Sequence, residues 1–243
     1  MELGGRVALV TGGGRRVGRV LALALGRAGA RVAVHYNGST EGARETCAEI
    51  ERAGGSADSF QADLADAEAP EQLVAAVVDR FGALDVLVNS AAVMERTPFG
   101  KVTADGWDAM FALNLRAPFL LAQAATPHLV ARGGAIVNIA DLAAFETWPA
   151  YIPHSLTKSG IVHMTRALAR VLAPAVRVNA IAPGAVLLPE SWDDQSAEKL
   201  EDTTPLRRLG SPEDVAGAML YLIGADYVTG ETIIVDGGRH VRR

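Results

Sequence analysis

The feature that most constrains this chain is a regular alternation between short apolar runs and longer stretches with helical periodicity. Apolar runs rich in β-branched residues are typical of strands buried on both faces of a parallel sheet. The alternation therefore predicts an α/β fold: a Rossmann-like, doubly wound sheet of about seven parallel strands with helices on both faces. The strand runs are residues 7–10, 32–34, 86–88, 135–137, 176–178 and 233–235, and the helical stretches are 17–28, 41–53, 71–81, 107–130, 153–172 and 212–223.

The composition indicates one globular domain. Of the 243 residues, 49% are hydrophobic and 21% are charged, which is typical of neither a disordered nor a fibrous chain. At roughly 150 residues per domain the length would allow a second domain. Because no segment resembles a linker, we predict a single domain over residues 1–243.

Charge and hydropathy argue against several classes of partner. The net charge is −5, and the one basic cluster is the ending at residues 239–243, so nucleic-acid binding is not expected. No apolar run is long enough for a membrane span, and residues 1–6 contain no signal-peptide core. Cys47 is the single cysteine, which suits a reducing compartment. We therefore expect a cytoplasmic protein without nucleic-acid or membrane partners.

The first strand leads into a glycine-rich turn at residues 11–18, TGGGRRVG. Glycines at such a turn let the backbone approach a pyrophosphate, whose charge is bound by free amides at the helix N-terminus. A phosphate-binding Walker loop is excluded, because Arg19 and Val20 stand where Lys and Ser or Thr are required. The remaining alternatives are a dinucleotide site and a turn that uses glycine for steric reasons alone.

Several polar or turn-forming residues follow later strands, where doubly wound sheets bind their ligands. Each has an ordinary structural explanation as well. Asp63 can cap a loop, Asn89 can form a strand-end turn, and Asn114 can be a buried polar group in a helix. Pro183-Gly184 can be a plain turn.

Taken together, these segments resemble the short-chain dehydrogenase/reductase family over essentially the whole chain. The resemblance implies a nicotinamide cofactor, a small-molecule substrate and a homotetramer. It implies that Asp63 lies near the adenine, Asn89 and Ala91 beside the ribose and nicotinamide half, and Pro183-Gly184 next to the nicotinamide carboxamide. The likeness rests on the turn 11–18, Asp63, the segment 89–92 (NSAA), Asn114, Lys158, Pro183, Gly184 and the ending 229–238.

Two positions look like pteridine reductases in particular. Arg16 stands where most family members have a glycine, and Asp141 stands where most have the catalytic serine, thirteen residues before His154. In that subgroup the arginine approaches cofactor phosphate and substrate, and the aspartate takes part in proton supply to a nitrogen heterocycle. Arg16 can instead be a solvated side chain at a helix start, and Asp141 a strand-end cap.

The end of the second strand favours NADP(H) over NAD(H). An NAD site places a carboxylate there, but the sequence has no acid between His35 and Glu41. Arg15 and Ser39 can pair with a 2′-phosphate through charge-assisted hydrogen bonds. The comparable segment of pteridine reductases has an arginine where this chain has Gly38, so one phosphate contact would be missing. We assign Gly12, Arg15, Arg16, Val17, Gly18, His35 and Ser39 to the cofactor site, together with Asp63, Leu64, Asn89, Ala91, Lys158, Pro183 and Gly184.

The catalytic position carries a histidine where the family has a tyrosine. His154 lies four residues before Lys158, one helical turn away, so the two side chains share a face. An unperturbed tyrosine has a pKa of about 10 and an unperturbed histidine one of about 6.5, so histidine needs less help to exchange protons near neutrality. A Lys158 cation favours the neutral imidazole and Asp141 favours the charged one. The sequence does not decide between them.

Three hypotheses compete at this position. In the first, His154 donates the proton while NADPH delivers hydride, Lys158 holds the nicotinamide ribose and Asp141 orients or charges the imidazole. Asn114 then anchors a water relay. In the second, Asp141 or Tyr151 supplies the proton.

A Tyr151 proton donor requires the helix to reach back to that residue, and Pro153 argues against such an extension. In the third hypothesis, loss of the tyrosine has left a nucleotide-binding protein without turnover. No metal site is predicted, because the other histidines lack Asp, Glu or Cys partners at ligand spacing.

The sequence thus predicts an NADPH-dependent oxidoreductase that reduces a C=O or C=N bond of a small, pterin-like or ketone substrate. The alternative is a catalytically silent regulatory or scaffold protein of the same fold. Residues 185–204 interrupt the strand–helix rhythm and carry Leu187, Leu188 and Trp192 among acidic side chains. This segment is predicted either to cover an apolar substrate or to form subunit contacts.

Overall fold

The computed structural model describes residues 1–188 and 194–241. These residues form one seven-stranded sheet in the order β3-β2-β1-β4-β5-β6-β7, and every neighbouring pair of strands is parallel. The predicted doubly wound α/β sheet is thereby confirmed. Its strands are β1 (Val7–Val10), β2 (Arg31–Tyr36), β3 (Ser56–Gln61), β4 (Val86–Asn89), β5 (Ala135–Ile139), β6 (Arg177–Pro183) and β7 (Thr232–Val235).

Helices cover both faces of the sheet because alternate strand residues point to opposite sides. In β1, Ala8 and Val10 pack towards α1 and α8, whereas Val7 and Leu9 pack towards α3 and α5. The helices are α1 (Arg16–Arg27), α2 (Thr40–Arg52), α3 (Ala69–Phe81), α4 (Ala104–Phe111), α5 (Ala117–Val130), α6 (Ile152–Leu172), α7 (Asp194–Thr203) and α8 (Pro212–Gly224).

Three elements differ from the sequence prediction. No apolar run marks β3, an edge strand whose residues are all exposed or half-buried. The helix predicted at 107–130 begins earlier, where the Thr103 hydroxyl caps α4, and a π-helical turn at Ala112–Arg116 separates α4 from α5. Residues 185–204 are not one continuous loop, because α7 occupies their second half. Trp192, on which the substrate-cover hypothesis partly rested, lies outside the described residues.

The described part of the chain contains no helix of sufficient length and apolarity to cross a lipid bilayer.

Candidate active site

A cleft of about 640 Å³ opens at the carboxyl ends of the central strands. It lies over the point where the sheet order reverses, between β1 and β4, which is where doubly wound folds bind their ligands. One end of the cleft is formed by the turn after β1 and by the end of β2, and the other by β5, α6 and the segment after β6. The cleft is large enough to hold a small organic ligand.

The glycine-rich turn is held from below by His35 on β2. The backbone N–H of Gly12 donates to His35 Nδ1 at 3.1 Å, and His35 Nε2 donates to the carbonyl of Ala62 at 3.1 Å. Burial lowers the pKa of His35 below its ordinary value, although the bond to Ala62 opposes the shift. The neutral ring that this pair of bonds requires is therefore favoured. His35 borders the cleft but is only 2% exposed, so it supports the turn from beneath.

The turn also needs glycine at two positions. Gly12 has φ of +67°, and a Cβ there would lie 3.1 Å from the Cα of Ala91. A Cβ at Gly18 would collide with the carbonyl oxygen of Gly12. Close packing between the turn, the helix and the segment at Ala91 therefore requires glycine at both positions. It also leaves backbone amides at the cleft wall.

The N-terminus of α1 suits an anionic group. Arg15 caps the helix without a side-chain hydrogen bond, and the first turn carries no acidic residue. The Arg15 guanidinium is exposed beside the cleft and has no hydrogen-bond partner among the described residues. Free helix N-terminal amides and an adjacent guanidinium are the donors that a phosphate requires. The helix amides thus fit the pyrophosphate of a dinucleotide, and the Arg15 guanidinium fits a further phosphate.

The end of β2 presents polar, uncharged groups to the cleft. Tyr36, Asn37 and Ser39 line it here. Glu41, the nearest acid along the chain, pairs with Arg44 at 2.7 Å on the exposed surface of α2. Among the described residues that line the cleft, Asp141 is the carboxylate, and it lies at the opposite end.

His154 and Asp141 meet at that opposite end. His154 is buried in the first turn of α6, and its Nε2 lies 3.5 Å from Asp141 Oδ2. The geometry is not that of a hydrogen bond, and this buried nitrogen has no hydrogen-bond partner among the described residues. The other oxygen, Asp141 Oδ1, accepts the N–H of Ala143 at 2.8 Å. Asp141 therefore serves as a strand-end cap and also faces the imidazole.

Lys158 lies one turn further along α6 and is 5% exposed. Its Nζ donates to the carbonyl of Ile139 at 2.9 Å. Burial lowers the pKa of the Lys158 ammonium below its ordinary value, and the Asp141 carboxylate partly opposes that shift. The predicted group of His154, Lys158 and Asp141 is thus assembled in one place.

Asn114 lies behind the cleft wall, in the π-helical turn, and is 1% exposed. Its Oδ1 accepts the N–H of Val93 at 2.9 Å, and its Nδ2 donates to the Val93 carbonyl at 2.8 Å. The same carbonyl lies 3.3 Å from His154 Nδ1. Asn114 therefore reaches the site through Val93, whose backbone role no side-chain motif could have revealed.

Two predicted cofactor residues lie outside the cleft lining. Asp63 is exposed and accepts the N–H of Ala65 at 3.0 Å, which closes its own loop. Asn89 is buried and donates to Asn138 Oδ1 at 2.9 Å, between β4 and β5. The sequence assignment, in turn, omitted several residues that line the cleft: Gly14, Tyr36, Asn37, Gly38, Ser90, Ala92, Val93, Met94, Leu113, Ile139, Ala140, Val186 and Leu187.

Tyr151, the second proposed proton donor, is placed differently from what that hypothesis requires. It precedes α6 with non-helical backbone angles, φ of −136° and ψ of 31°. Its ring packs edge-on against Trp148 at 6.2 Å, and it is not among the residues that line the cleft. The described residues also contain no group of three His, Cys, Asp or Glu side chains that could hold a metal ion.

Comparison with known proteins gives matches along almost the whole chain. A family model described as enoyl-(acyl carrier protein) reductase matches residues 14–240. The chain is 37% identical over 238 residues to a 3-oxoacyl-(acyl-carrier-protein) reductase of Synechocystis sp., with 96% of each chain covered. It is 35% identical to a 3β-hydroxysteroid dehydrogenase of Eggerthella lenta, covering 98% of this chain and 94% of the relative. The crystal structure of a dehydrogenase/reductase from Sinorhizobium meliloti 1021 is similar with a TM-score of 0.92 at 37% identity, over 98% of this chain and 96% of that one.

Proposed function

The chain belongs to the short-chain dehydrogenase/reductase family of oxidoreductases, and we propose that it reduces a C=O or C=N bond of a small substrate with NADPH. One observation carries the proposal: a single cleft has an arginine-flanked glycine turn at one end and the His154, Lys158 and Asp141 group at the other. The first end suits phosphates, and the second can supply a proton.

The residues that would hold the cofactor follow from the lining of the cleft. The turn from Gly12 to Gly18 would bind the pyrophosphate, and Arg15 and Ser39 would bind a 2′-phosphate. The absence of a cleft carboxylate at the end of β2, among the described residues, supports NADP(H) over NAD(H). Leu64, Ala91, Lys158, Pro183 and Gly184 would border the rest of the dinucleotide.

Bound NADPH supplies the hydride. In this proposal His154 Nε2 holds the proton that passes to the substrate oxygen or nitrogen, so the imidazolium becomes a neutral imidazole and is reprotonated from solvent. Asp141 stabilises the charged ring across 3.5 Å. The Lys158 ammonium is fixed by the Ile139 carbonyl and would bind the nicotinamide ribose.

The substrate end combines an apolar wall with one carboxylate. Met94, Leu113 and Val186 line the cleft there, so an apolar substrate body is favoured. The Asp141 carboxylate can accept a ring N–H, as in a pterin-like heterocycle, or stabilise a protonated imine. Ketones and pterin-like heterocycles are therefore both proposed as substrates, and Arg16 with Asp141 supports the second class.

The decisive experiment follows NADPH oxidation with a panel of ketones, cyclic imines and pterins. His154→Gln is expected to lower kcat by about 100-fold or more for the best substrate, because it removes the general acid. Its affinity for NADPH should stay within about threefold, since His154 lies at the far end of the cleft from the phosphate turn.

His163→Gln is the matched control, because His163 is exposed on the same helix, and it should retain full activity. Wild-type protein that binds NADPH tightly but reduces no member of the panel would support the silent alternative. Full activity in His154→Gln would exclude the histidine as proton donor. The homotetramer and the cytoplasmic location stay predictions from the sequence.

A further inference from the structure

We propose that Asn114 is a positioning residue that sets which nitrogen of His154 exchanges its proton, acting through the carbonyl of Val93. The inference rests on the proposed function of His154 as general acid. It concerns a contact chain of three residues, in which Asn114 lies behind the cleft wall and Val93 and His154 line the cleft.

The first step in the chain is the clamp on Val93. Asn114 binds both backbone groups of that residue, its N–H at 2.9 Å and its carbonyl at 2.8 Å. The two bonds hold the peptide groups on both sides of Val93, which fixes the direction of its carbonyl in a way that one bond would not. Asn114 is itself fixed, because it is buried in the π-helical turn and its Nδ2 also lies 3.4 Å from Thr157 Oγ1.

The second step is the imidazole. The Val93 carbonyl can only accept, so His154 Nδ1, 3.3 Å away, must carry a hydrogen for this contact to be a hydrogen bond. Nδ1 is then protonated in the neutral ring and in the charged ring. Proton exchange is left to Nε2, the nitrogen that faces Asp141 at 3.5 Å.

The third step is a competition between two acceptors. In a neutral ring, the Asp141 carboxylate would draw the single hydrogen to Nε2, whereas the Val93 carbonyl draws it to Nδ1. A neutral imidazole that donates from Nε2 is a far weaker acid than an imidazolium. With Val93 clamped, the Nδ1–H of the imidazolium has an acceptor and its Nε2–H faces the Asp141 carboxylate at 3.5 Å, so proton uptake at Nε2 completes the acid.

Among the described residues, Asp141, which follows β5, is the carboxylate in contact with this ring, and Lys158 lies one turn along α6. Neither contacts Nδ1 in the described structure. Asp141 acts on the side of Nε2, and Lys158 is bonded to Ile139. Whether Nδ1 carries a hydrogen therefore depends on the contact with the Val93 carbonyl, and through that carbonyl on Asn114.

The test is nuclear magnetic resonance on the full chain labelled with ¹⁵N-histidine, without cofactor or substrate. The protein has five histidines, and the His154 signals are those lost in His154→Gln. In the neutral ring of the wild type we expect hydrogen on Nδ1 and a bare Nε2. In Asn114→Ala we expect the hydrogen to move to Nε2 in most molecules. Asn114→Ser, too short to bind both Val93 groups, should move it in the same direction if the alanine variant does not fold.

Asn179→Ala is the matched control. Asn179 is equally buried and also bridges a carbonyl and an N–H of the backbone, those of Val228 and Glu231, but it does not line the cleft. It should leave the His154 tautomer unchanged. A wild-type ring protonated on Nε2, or an Asn114 variant with the wild-type pattern, overturns the inference.

Kinetics give the second measurement. Asn114→Ala should lower kcat about tenfold or more and change the pH at which kcat declines, whereas KM for NADPH should change by less than about threefold. Asn179→Ala should change neither. Because the resonance measurement needs no turnover, failure of the proposed function and failure of this inference are separate results.

Discussion

At Arg16 an unfavourable backbone conformation is combined with a side-chain contact across the cleft. It has φ of +50°, in the left-handed region that favours glycine. That conformation costs a non-glycine residue about 1–2 kcal/mol. The guanidinium gains a contact in return, because Arg16 Nη2 donates to the carbonyl of Leu187 at 3.3 Å, on the segment after β6. The side chain thus links α1 to the opposite wall of the cleft.

A pair of variants separates the two effects. Arg16→Gly and Arg16→Ala both remove the guanidinium, but only alanine keeps the strained backbone. Arg16→Gly is expected to be more stable than Arg16→Ala by about 1 kcal/mol in urea unfolding. Both should bind NADPH about tenfold more weakly, because the charge-assisted contact proposed between Arg16 and a cofactor phosphate would be lost.

Arg27→Ala is the control for loss of a positive charge on the same helix, because Arg27 is exposed at the far end of α1 and pairs with Glu49. It should leave the affinity for NADPH unchanged. Equal stability of the glycine and alanine variants would show that φ at residue 16 relaxes without cost.

At the scale of elements, Asp85 links β1, β4 and β5 at the amino ends of the strands, on the side of the sheet opposite the cleft. Its fully buried carboxylate accepts the N–H of Val7, the first residue of β1, at 2.9 Å, and pairs with Arg6 at 2.6 Å and Arg132 at 2.9 Å. Burial alone would raise the pKa of the Asp85 carboxyl, but the hydrogen bonds from the Val7 N–H and the two guanidinium groups lower it below its ordinary value.

A carboxyl whose pKa is lowered by folding stabilises the native state fully at pH values above its unfolded pKa, which is about 3.9. This stabilisation is lost as the pH falls through the lower pKa of the folded state. Asp85→Asn is expected to lower the free energy of unfolding by about 2 kcal/mol at pH 7. This is less than the roughly 3–5 kcal/mol for a fully buried pair, because both arginines are partly exposed.

The measurement is urea unfolding of the wild type and Asp85→Asn at neutral pH and at about pH 3. The difference between the two proteins should narrow at the acid pH. Asp79→Asn serves as the control, since Asp79 is an exposed acid on α3, and it should change stability little at either pH. A difference that is equal at both pH values would mean that the carboxylate charge does not stabilise the fold.

The elements also show what the sequence could predict. The pattern of apolar residues predicted the six strand runs and the central parts of most helices, because positions that face the protein core must be apolar. It failed for β3, whose sequence is SADSFQ, because an edge strand need not be apolar. It failed likewise for α7, a polar helix. Within the site, the glycine turn could be found from its residues and its place after the first strand, and His154, Asp141 and Lys158 from the family resemblance. The π-helical turn and the role of the Val93 carbonyl could not be predicted, because they depend on tertiary contacts of Asn114.

At the scale of the whole molecule, the cleft spans the sheet at its topological midpoint. One end is built on β1 and β2, and the other on β5, β6 and α6. A ligand that binds both ends can bind only the folded chain, so its affinity adds to the stability of the whole fold. Thermal unfolding therefore reports on cofactor choice without any knowledge of the substrate.

The same dependence of fold stability on bound ligand tests the assignment of Arg15 to the 2′-phosphate. At about 100 times Kd, NADPH should stabilise the fold by about 2.7 kcal/mol, and for a chain of this size that raises Tm by roughly 5–11 °C. NADH at the same concentration should raise it less. Arg15→Ala should reduce the NADPH shift by about 3–5 °C and leave the NADH shift unchanged, because only NADPH carries the phosphate that pairs with this guanidinium. Arg44→Ala, at an exposed arginine paired with Glu41 outside the cleft, should behave as the wild type. Equal losses with both dinucleotides in Arg15→Ala would instead assign Arg15 to the pyrophosphate, which the two cofactors share.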